Sequence, residues 1–240
     1  MSERILDVIE AFSAHRAPFL LSELAASIDA PKSSCFQVVK LLQRRGYLYS
    51  LGPRRGFYPT RRLFGHAKVI AENDPALNRL DGMLSELRNQ TQETVIVGVY
   101  QDETVLYVNV IESLQNIRYS ALPGDCKPLH SSAIGKAFLG AMPEETLRER
   151  VAGLPLEKMT SETITSQQSL LDDIEKGRQR GYFVTRGENV TDVMGCARTI
   201  DVGGTRYGIA VAGPLQRLRS REKTIAGVLR ESCERMERLA

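Results

Sequence analysis

Residues 31–71 contain nine lysines or arginines and no aspartate or glutamate. Closely spaced cations without counter-charges attract polyanions, above all the phosphates of a nucleic acid. Such a run can also be a disordered tail or a solvated surface, but apolar residues such as Val38, Leu42 and Phe57 interrupt this one and require a core. We therefore expect a folded, basic surface that binds a polyanion. Its cations are Lys32, Lys40, Arg44, Arg45, Arg54, Arg55, Arg61, Arg62 and Lys68.

The element that positions the first of these cations is a predicted helix from about Pro31 to Arg45. At about 100° per residue, its apolar residues fall on one side and its polar residues on the other. Pro31 suits the first helical position, because its missing N–H would be unsatisfied there, and Gly46 suits the left-handed residue beyond the end. One side of the helix therefore packs, and the other is free to contact a ligand.

A basic β-hairpin is predicted after this helix. Two short aromatic segments, Tyr47–Ser50 and Phe57–Pro59, flank a turn-rich loop with Arg54 and Arg55 at its tip. Upstream, helical spacing predicts a first helix from about Ser2 to Ala14 and a second from Glu23 to Ile28, capped by Ser22. Three helices and a basic hairpin are typical of a winged helix-turn-helix that binds DNA.

The predicted DNA contacts differ in what they read. Gln37 can present a donor and an acceptor to an adenine edge, and the serine hydroxyls can bond bases or phosphates. The arginines are expected to bind phosphates, which sets affinity rather than sequence preference. Phe36 either contacts a thymine methyl or packs against the first helix or the hairpin. For the polar residues, the alternative is that they form an ordinary solvated helix surface. The candidates are Lys32, Ser33, Ser34, Phe36, Gln37, Lys40, Arg54, Arg55 and Arg61.

Charge divides the 240-residue chain into a basic head and a mildly acidic body. Residues 1–71 carry eleven cations and five acids, a net of +6, and residues 72–240 carry twenty-one and twenty-four, a net of −3. No apolar stretch approaches the roughly 18 residues of a membrane span, and no signal-peptide pattern is present. We expect a soluble, cytoplasmic protein without a membrane partner. The four scattered cysteines indicate neither a disulfide framework nor a metal site, and no cofactor is expected.

Four segments carry a resemblance to a known family. They are SELAASIDAPKSSCFQVVKLLQRRGYL, GDCKPLHSSAIGKAFLG, RGYFVTRGE and AVAGPLQRL, in that order. Together they resemble the IclR family of bacterial transcriptional regulators over nearly the whole chain. The resemblance implies an α+β protein with an N-terminal winged helix-turn-helix (residues 1–60), a linker helix (61–74) and a GAF-like effector-binding domain (75–240).

In the second half, patterning predicts hairpins and covering helices. The strands are expected at Thr94–Tyr100, Thr104–Ile111, Ile117–Ala121, Gly181–Thr185, Val193–Val202 and Thr205–Ala212, with Gly203-Gly204 as a hairpin turn. Helices are expected from Pro75 to Thr91, after His130, at Glu144–Val151, at Gln167–Arg180 and from Arg219 to Leu239.

A second candidate site is the turn around His130-Ser-Ser. A serine cap there would leave backbone N–H groups free for a carboxylate, and the resemblance implies that this turn lines an effector pocket. Alternation on two strands adds small residues to this site, at positions where relatives often carry Asp, Cys or Ser. We therefore expect a roomier and more apolar cavity than in those relatives. The alternative is that the small residues only let a helix pack closely on the sheet. The candidates are Ser132, Ala133, Ile134, Gly135, Thr185, Gly195, Ala197, Ala210 and Ala212.

Enzymatic readings find little support in the residues. His130 beside two serines lacks a nucleophile elbow, and adjacent residues rarely reach base-to-nucleophile geometry. A thiol-based enzyme or redox sensor using Cys126 and Cys196 is the alternative. The expected partners are an operator in double-stranded DNA, a small organic acid, possibly aromatic, and a second copy in a homodimer or tetramer. Repression and activation stay equally open.

Overall fold

The chain folds into two structural units, and the boundary between them follows Asp74. The computed structural model describes residues 3–238, and each unit has a hydrophobic core of its own.

The first unit contains three helices, a hairpin and a fourth helix. Its core combines residues from α1, α2, α3 and the hairpin, among them Val8, Leu24, Val39 and Leu48. The elements are α1 (Glu3–His15), α2 (Leu21–Ser27), α3 (Lys32–Arg44), β1 (Leu48–Gly52), β2 (Gly56–Pro59) and α4 (Arg62–Glu72).

Close backbone contact joins the hairpin to the segment between α1 and α2. Phe57 exchanges two backbone hydrogen bonds with Phe19, at 2.8 and 3.2 Å. Gly56 lies so close that an added Cβ would be 2.1 Å from the Phe19 carbonyl oxygen, and its φ is +79°. Only glycine combines this backbone conformation with so little space, so Gly56 fixes the hairpin against the helices.

The second unit is a six-stranded antiparallel sheet with helices on both faces. The strand order is β5-β4-β3-β8-β7-β6. Its elements are α5 (Leu77–Thr91), β3 (Thr94–Gln101), β4 (Thr104–Ile111), β5 (Cys126–Pro128), α6 (Ala133–Gly140), α7 (Glu144–Gly153), α8 (Gln167–Arg180), β6 (Phe183–Arg186), β7 (Val193–Val202), β8 (Thr205–Pro214), α9 (Leu215–Arg219) and α10 (Glu222–Arg238).

Alternation along the strands divides the apolar side chains between two cores. Ile96, Tyr107, Ala197 and Ala210 pack on one face of the sheet with residues of α6, α7 and α8. Val95, Val97, Cys196 and Ile209 pack on the other face with α5, α9 and α10. Successive side chains of a strand point to opposite faces, which is why neighbours such as Val95 and Ile96 enter different cores.

The structure corrects several expected elements. Residues 117–121 form no strand, and the third strand of that region is β5. Ser22 lies inside α2 rather than capping it; Leu20 is the N-cap, and its N–H donates to the Glu23 carboxylate at 2.8 Å. Pro31 is the N-cap of α3 rather than its first residue. The final helix is broken in two between Arg219 and Glu222.

Candidate functional site

The polar side of α3 is exposed. Lys32, Ser33, Gln37 and Lys40 face solvent, whereas Cys35, Val38, Val39 and Leu42 are buried. Within the first unit, the helix therefore offers a continuous polar surface and packs through its opposite side.

Two of the predicted contacts on α3 have partners of their own. Phe36 is 43% exposed, and the Lys40 ammonium lies over it, 5.4 Å from its ring centre. Ser34 is half-buried and accepts a hydrogen bond from Arg4 on α1. Ser34 is thus a link between two helices as well as a candidate contact.

The hairpin carries its cations at the tip. Arg54 and Arg55 are both exposed, and Arg54 has a φ of +63° in the tight turn between β1 and β2. Arg61 is the exposed N-cap of α4, while the neighbouring Arg62 stacks on Tyr47 at 5.3 Å. The first unit thus presents a second cationic surface beside its polar helix face.

In the second unit, a cavity lies between the start of α6 and the sheet. It is lined by Ile96, Tyr107, Tyr119, Ser131, Ser132, Ala133, Ile134, Thr185, Asn189, Val190, Val193, Gly195, Ala210 and Ala212. Antiparallel pairing places Thr185 beside Gly195 and Gly195 beside Ala212, so these three form one row across β6, β7 and β8. Seven of the nine predicted effector residues lie together here.

The other two predicted residues do not line this cavity. An added Cβ at Gly135 would be 2.4 Å from the Leu129 carbonyl oxygen, so Gly135 faces the preceding turn. Ala197 is fully buried in the core beneath α6. At both positions a small residue allows close packing, which was the alternative explanation for the small residues of the strands, Ala197 among them.

The start of α6 is arranged to receive an anion. Ser132 is the N-cap, and its hydroxyl accepts from the Gly135 N–H at 3.1 Å and donates to the Pro128 carbonyl at 2.7 Å. The first N–H groups of a helix have no intrahelical acceptor, and Ala133 and Ile134, the first two residues of α6, both line the cavity. The positive end of the helix dipole favours a carboxylate there.

Large side chains make the cavity smaller than the small residues predict. Its volume is about 40 Å³, which is enough for only a few water molecules. Tyr107 and Tyr119, which we did not predict, occupy the side opposite β7, and Asn189 and Val190 form part of the rim. An acid larger than a few atoms therefore requires movement of Tyr119 or of the 187–192 loop.

The 187–192 loop is held down by polar contacts. Asn189 donates to the Ser131 hydroxyl at 3.1 Å, and the Thr163 hydroxyl donates to the Glu188 carbonyl at 2.7 Å. The fully buried Lys136 ammonium lies 2.6 Å from the Glu188 carboxylate and 2.7 Å from that of Asp173. Burial raises the pKa of Glu188, and the nearby Lys136 opposes that shift.

The thiol-based alternative gains no support at Cys196, whereas Cys126, its other cysteine, is exposed. Burial raises the pKa of the Cys196 thiol to about 12 and that of the Cys233 thiol to about 12, so both stay protonated and unreactive near neutral pH. His130 is buried with Nε2 against the Glu157 carbonyl oxygen at 2.9 Å. Residues 3–238 contain no cluster of acidic, His and Cys side chains able to hold a metal ion. No helix in that range has the length and apolar character of a bilayer span.

A chain that combines a winged helix-turn-helix with an α+β unit containing a lined cavity has the organisation of a ligand-responsive DNA-binding protein. The C-terminal model of the bacterial transcriptional regulator IclR matches residues 70–238, and the IclR helix-turn-helix model matches residues 3–52. The chain belongs to the IclR family, whose members are DNA-binding transcriptional regulators and not enzymes.

Individual relatives are distant but extend over most of the chain. The transcriptional regulator KdgR of Escherichia coli is 26% identical over 211 residues, which is 88% of this chain and 78% of KdgR. The crystal structure of Thermotoga maritima IclR superposes with a TM-score of 0.83 at 22% identity, covering 98% of this chain and 96% of that one. An IclR homologue from Microbacterium hydrocarbonoxydans, solved with 4-hydroxybenzoate, has a TM-score of 0.76 at 22% identity, covering 98% and 97%.

Proposed function

We propose that this regulator binds a specific operator in double-stranded DNA through α3 and the β1–β2 hairpin, under the control of a small organic acid bound in the second unit. Residues 1–60 form the DNA-binding domain, 61–74 the linker helix and 75–240 the effector-binding domain. The observation that carries the DNA contact is the exposed, acid-free face of α3 beside the cationic hairpin tip.

Base readout is assigned to the exposed side of α3. Gln37 makes a bidentate contact with an adenine edge, the Ser33 hydroxyl and Lys32 contact bases or phosphates, and Phe36 meets a thymine methyl. The Lys40 ammonium over the Phe36 ring keeps that ring on the outer face of α3. Ser34 contributes to DNA binding through its contact with α1.

Phosphate binding is assigned to the arginines. Arg54 and Arg55 at the hairpin tip and Arg61 before α4 contact the DNA backbone on either side of α3. Such contacts strengthen binding to any sequence and weaken it as salt rises.

One α3 spans too few bases to specify an operator, so we propose that the protein acts as a homodimer in the cytoplasm. Its two half-sites would lie one helical turn, or a multiple of one, apart. A dimer of dimers would bind two such operators. The membrane plays no part in this function.

The effector is proposed to be a carboxylic acid with an apolar body. Its carboxylate would meet the amides of Ala133 and Ile134, and its body would lie on Gly195, Ala210 and Ala212. The 4-hydroxybenzoate in the Microbacterium homologue supports an aromatic acid. The small free cavity means that the pocket opens as such an acid enters.

A pair of variants tests the division between readout and affinity. Gln37→Ala should cost about 1–3 kcal/mol on the operator and relax preference at one base position, because it removes one bidentate base contact. Arg55→Ala should weaken binding to every sequence and lower the salt slope by roughly one. Mobility-shift titrations on the promoter beside the protein's own gene, with unrelated DNA in excess, measure both effects.

Gln168→Ala is the control, since Gln168 is an exposed helical glutamine in the second unit. It should bind as the wild type does. Equal binding of the wild type to operator and unrelated DNA would refute sequence specificity, and wild-type behaviour of Gln37→Ala on every site would refute its assigned contact.

A further inference from the structure

Tyr107 and Tyr119 place two phenol groups on the cavity wall. Tyr107 is 6% exposed, and its phenol lies close to that of Tyr119. Burial raises the pKa of Tyr107, so the group stays a neutral donor and acceptor. Between β4 and β7 the sheet face beneath the cavity is apolar, contributed by Ile96, Ala210 and Ala212, and the polar Thr185 lies beyond β7, on β6.

The strand order separates the tyrosine pair from the start of α6. Ala133, the first residue of α6, lies over Gly195 of β7, where an added Cβ would be 3.1 Å from the Ala133 Cβ. Tyr107 lies on β4, and β8 and β3 run between β7 and β4. Three strand spacings of roughly 4.8 Å each separate the two strands, about 14 Å in all. The cavity therefore has two polar ends with an apolar floor between them.

Tyr119 is held in position through its backbone. The Thr94 hydroxyl donates to the Tyr119 carbonyl at 2.6 Å and accepts from the Ser113 N–H at 3.2 Å. Thr94 pairs with Ala212 across β3 and β8, which fixes the irregular segment beside the cavity floor. The Tyr119 side chain remains partly exposed, so its ring can move while its backbone stays anchored.

We infer that Tyr107 and Tyr119 determine effector specificity by binding a second oxygen of the ligand, a hydroxyl or carbonyl at the end opposite its carboxylate. This rests on the proposed effector function of the cavity and adds a ligand class to it: acids that carry two oxygen functions separated by an apolar body. A ligand without the second oxygen displaces water from the two phenols and leaves them without that partner, which weakens its binding.

Matched acids test this assignment by calorimetry on the full-length protein. The probes are 4-hydroxybenzoate against benzoate and 5-hydroxypentanoate against pentanoate. The wild type should bind the hydroxylated member of each pair about tenfold to a hundredfold more tightly, as expected for one satisfied buried hydrogen bond. Tyr107→Phe should remove this preference and leave the affinity for benzoate and pentanoate within about twofold, because the ring and its packing are unchanged.

Tyr119→Phe is a second variant with the same expectation, and Tyr100→Phe is the control. Tyr100 packs against Phe138 with its ring centre 6.1 Å away and does not line the cavity, so its variant should keep the preference. The role assigned to the two tyrosines would be wrong if the wild type bound both members of each pair with equal affinity. It would also be wrong if the preference survived in both Tyr107→Phe and Tyr119→Phe. Either result would leave the proposed effector function of the cavity standing. Failure of the wild type to bind any of the four acids would overturn the proposed effector function together with that role.

Discussion

Lys136, like Glu93, is a charged side chain with no exposed surface. Its ammonium bridges Asp173 on α8 and Glu188 in the loop over the cavity. A buried charge pair is weak evidence for stability, but removal of one partner leaves the others buried and uncompensated. Lys136 thus serves as a positioning residue that holds the 187–192 loop, and with it Asn189 and Val190, at the cavity rim.

Lys136→Met should lower the free energy of unfolding by about 3–5 kcal/mol near neutral pH, because Glu188 and Asp173 lose their shared cation. The pKa of Glu188, already raised by burial, should rise further. A group with a raised folded-state pKa stabilises below its unfolded pKa and loses that contribution as pH rises. The deficit of the variant should therefore shrink as the pH falls from 7 toward the ordinary glutamate pKa of about 4.3.

Urea unfolding of both proteins between pH 7 and 4.5 measures this deficit. Lys176→Met is the matched control, since Lys176 is exposed on α8 and its loss should stay within about 0.5 kcal/mol at every pH. A Lys136→Met deficit that does not change with pH would contradict the role assigned to Glu188.

At the scale of elements, strong periodicity made part of the fold predictable. The bounds of β4, β7 and α8 agree with the sequence expectation residue for residue, because their patterns run unbroken between turn residues. The small side chains of β7 and β8 likewise pointed to the cavity floor. Gly203 and Gly204, with φ of +57° and +79°, form the expected hairpin turn.

Other features depend on contacts that no local pattern reveals. Residues 117–121 do not form the expected strand. The Tyr119 carbonyl accepts from the Thr94 hydroxyl, and backbone hydrogen bonds to Tyr107 of β4 form at Gly124 and Asp125. A register shift between Val97 and Gly98 changes which residues of β4 pair with β3 after Tyr107. The position of Asn189 at the cavity rim depends on the Lys136–Glu188 contact, which links residues distant in sequence.

The hairpin offers a test of how an element positions DNA contacts. Gly56→Ala should destabilise the first unit and weaken DNA binding, because a Cβ would collide with the Phe19 backbone in a left-handed conformation. The loss in the free energy of unfolding should exceed the roughly 1 kcal/mol that accompanies a glycine-to-alanine substitution at an unstrained position. Thermal unfolding and operator binding measured on the same samples provide the readout.

Gly65→Ala is the corresponding control within α4. No heavy atom lies within 4 Å of a Cβ added there, and alanine favours a helix interior by about 1 kcal/mol. This variant should be as stable as the wild type or slightly more so, with unchanged operator affinity. Wild-type stability and binding of Gly56→Ala would show that the hairpin contact with Phe19 is dispensable.

At the scale of the whole molecule, the two units have separate cores and opposite net charges, +4 in residues 1–74 and −1 in residues 75–240. An effector changes operator affinity only if it binds the DNA-competent and incompetent states unequally. The coupling is reciprocal, so operator DNA must change effector affinity by the same factor. A substitution that fills the cavity should therefore remove both effects and leave the intrinsic affinity for DNA.

Ala212→Leu is the substitution that separates these quantities. Ala212 is 4% exposed on the floor of a cavity of about 40 Å³, and protein interiors are packed too densely to absorb three added carbons without loss of that space. The variant should lose effector binding by calorimetry and lose any effect of the acid on the mobility shift. Its operator affinity without effector and its salt slope should equal those of the wild type, because neither α3 nor the hairpin is altered.

Overpacking of this kind costs about 1–3 kcal/mol, so thermal unfolding must show that the variant remains folded at the assay temperature. Ala152→Leu, on the exposed surface of α7, should keep both binding and response. A folded Ala212→Leu protein that still responds to the acid would place the effector elsewhere in the second unit.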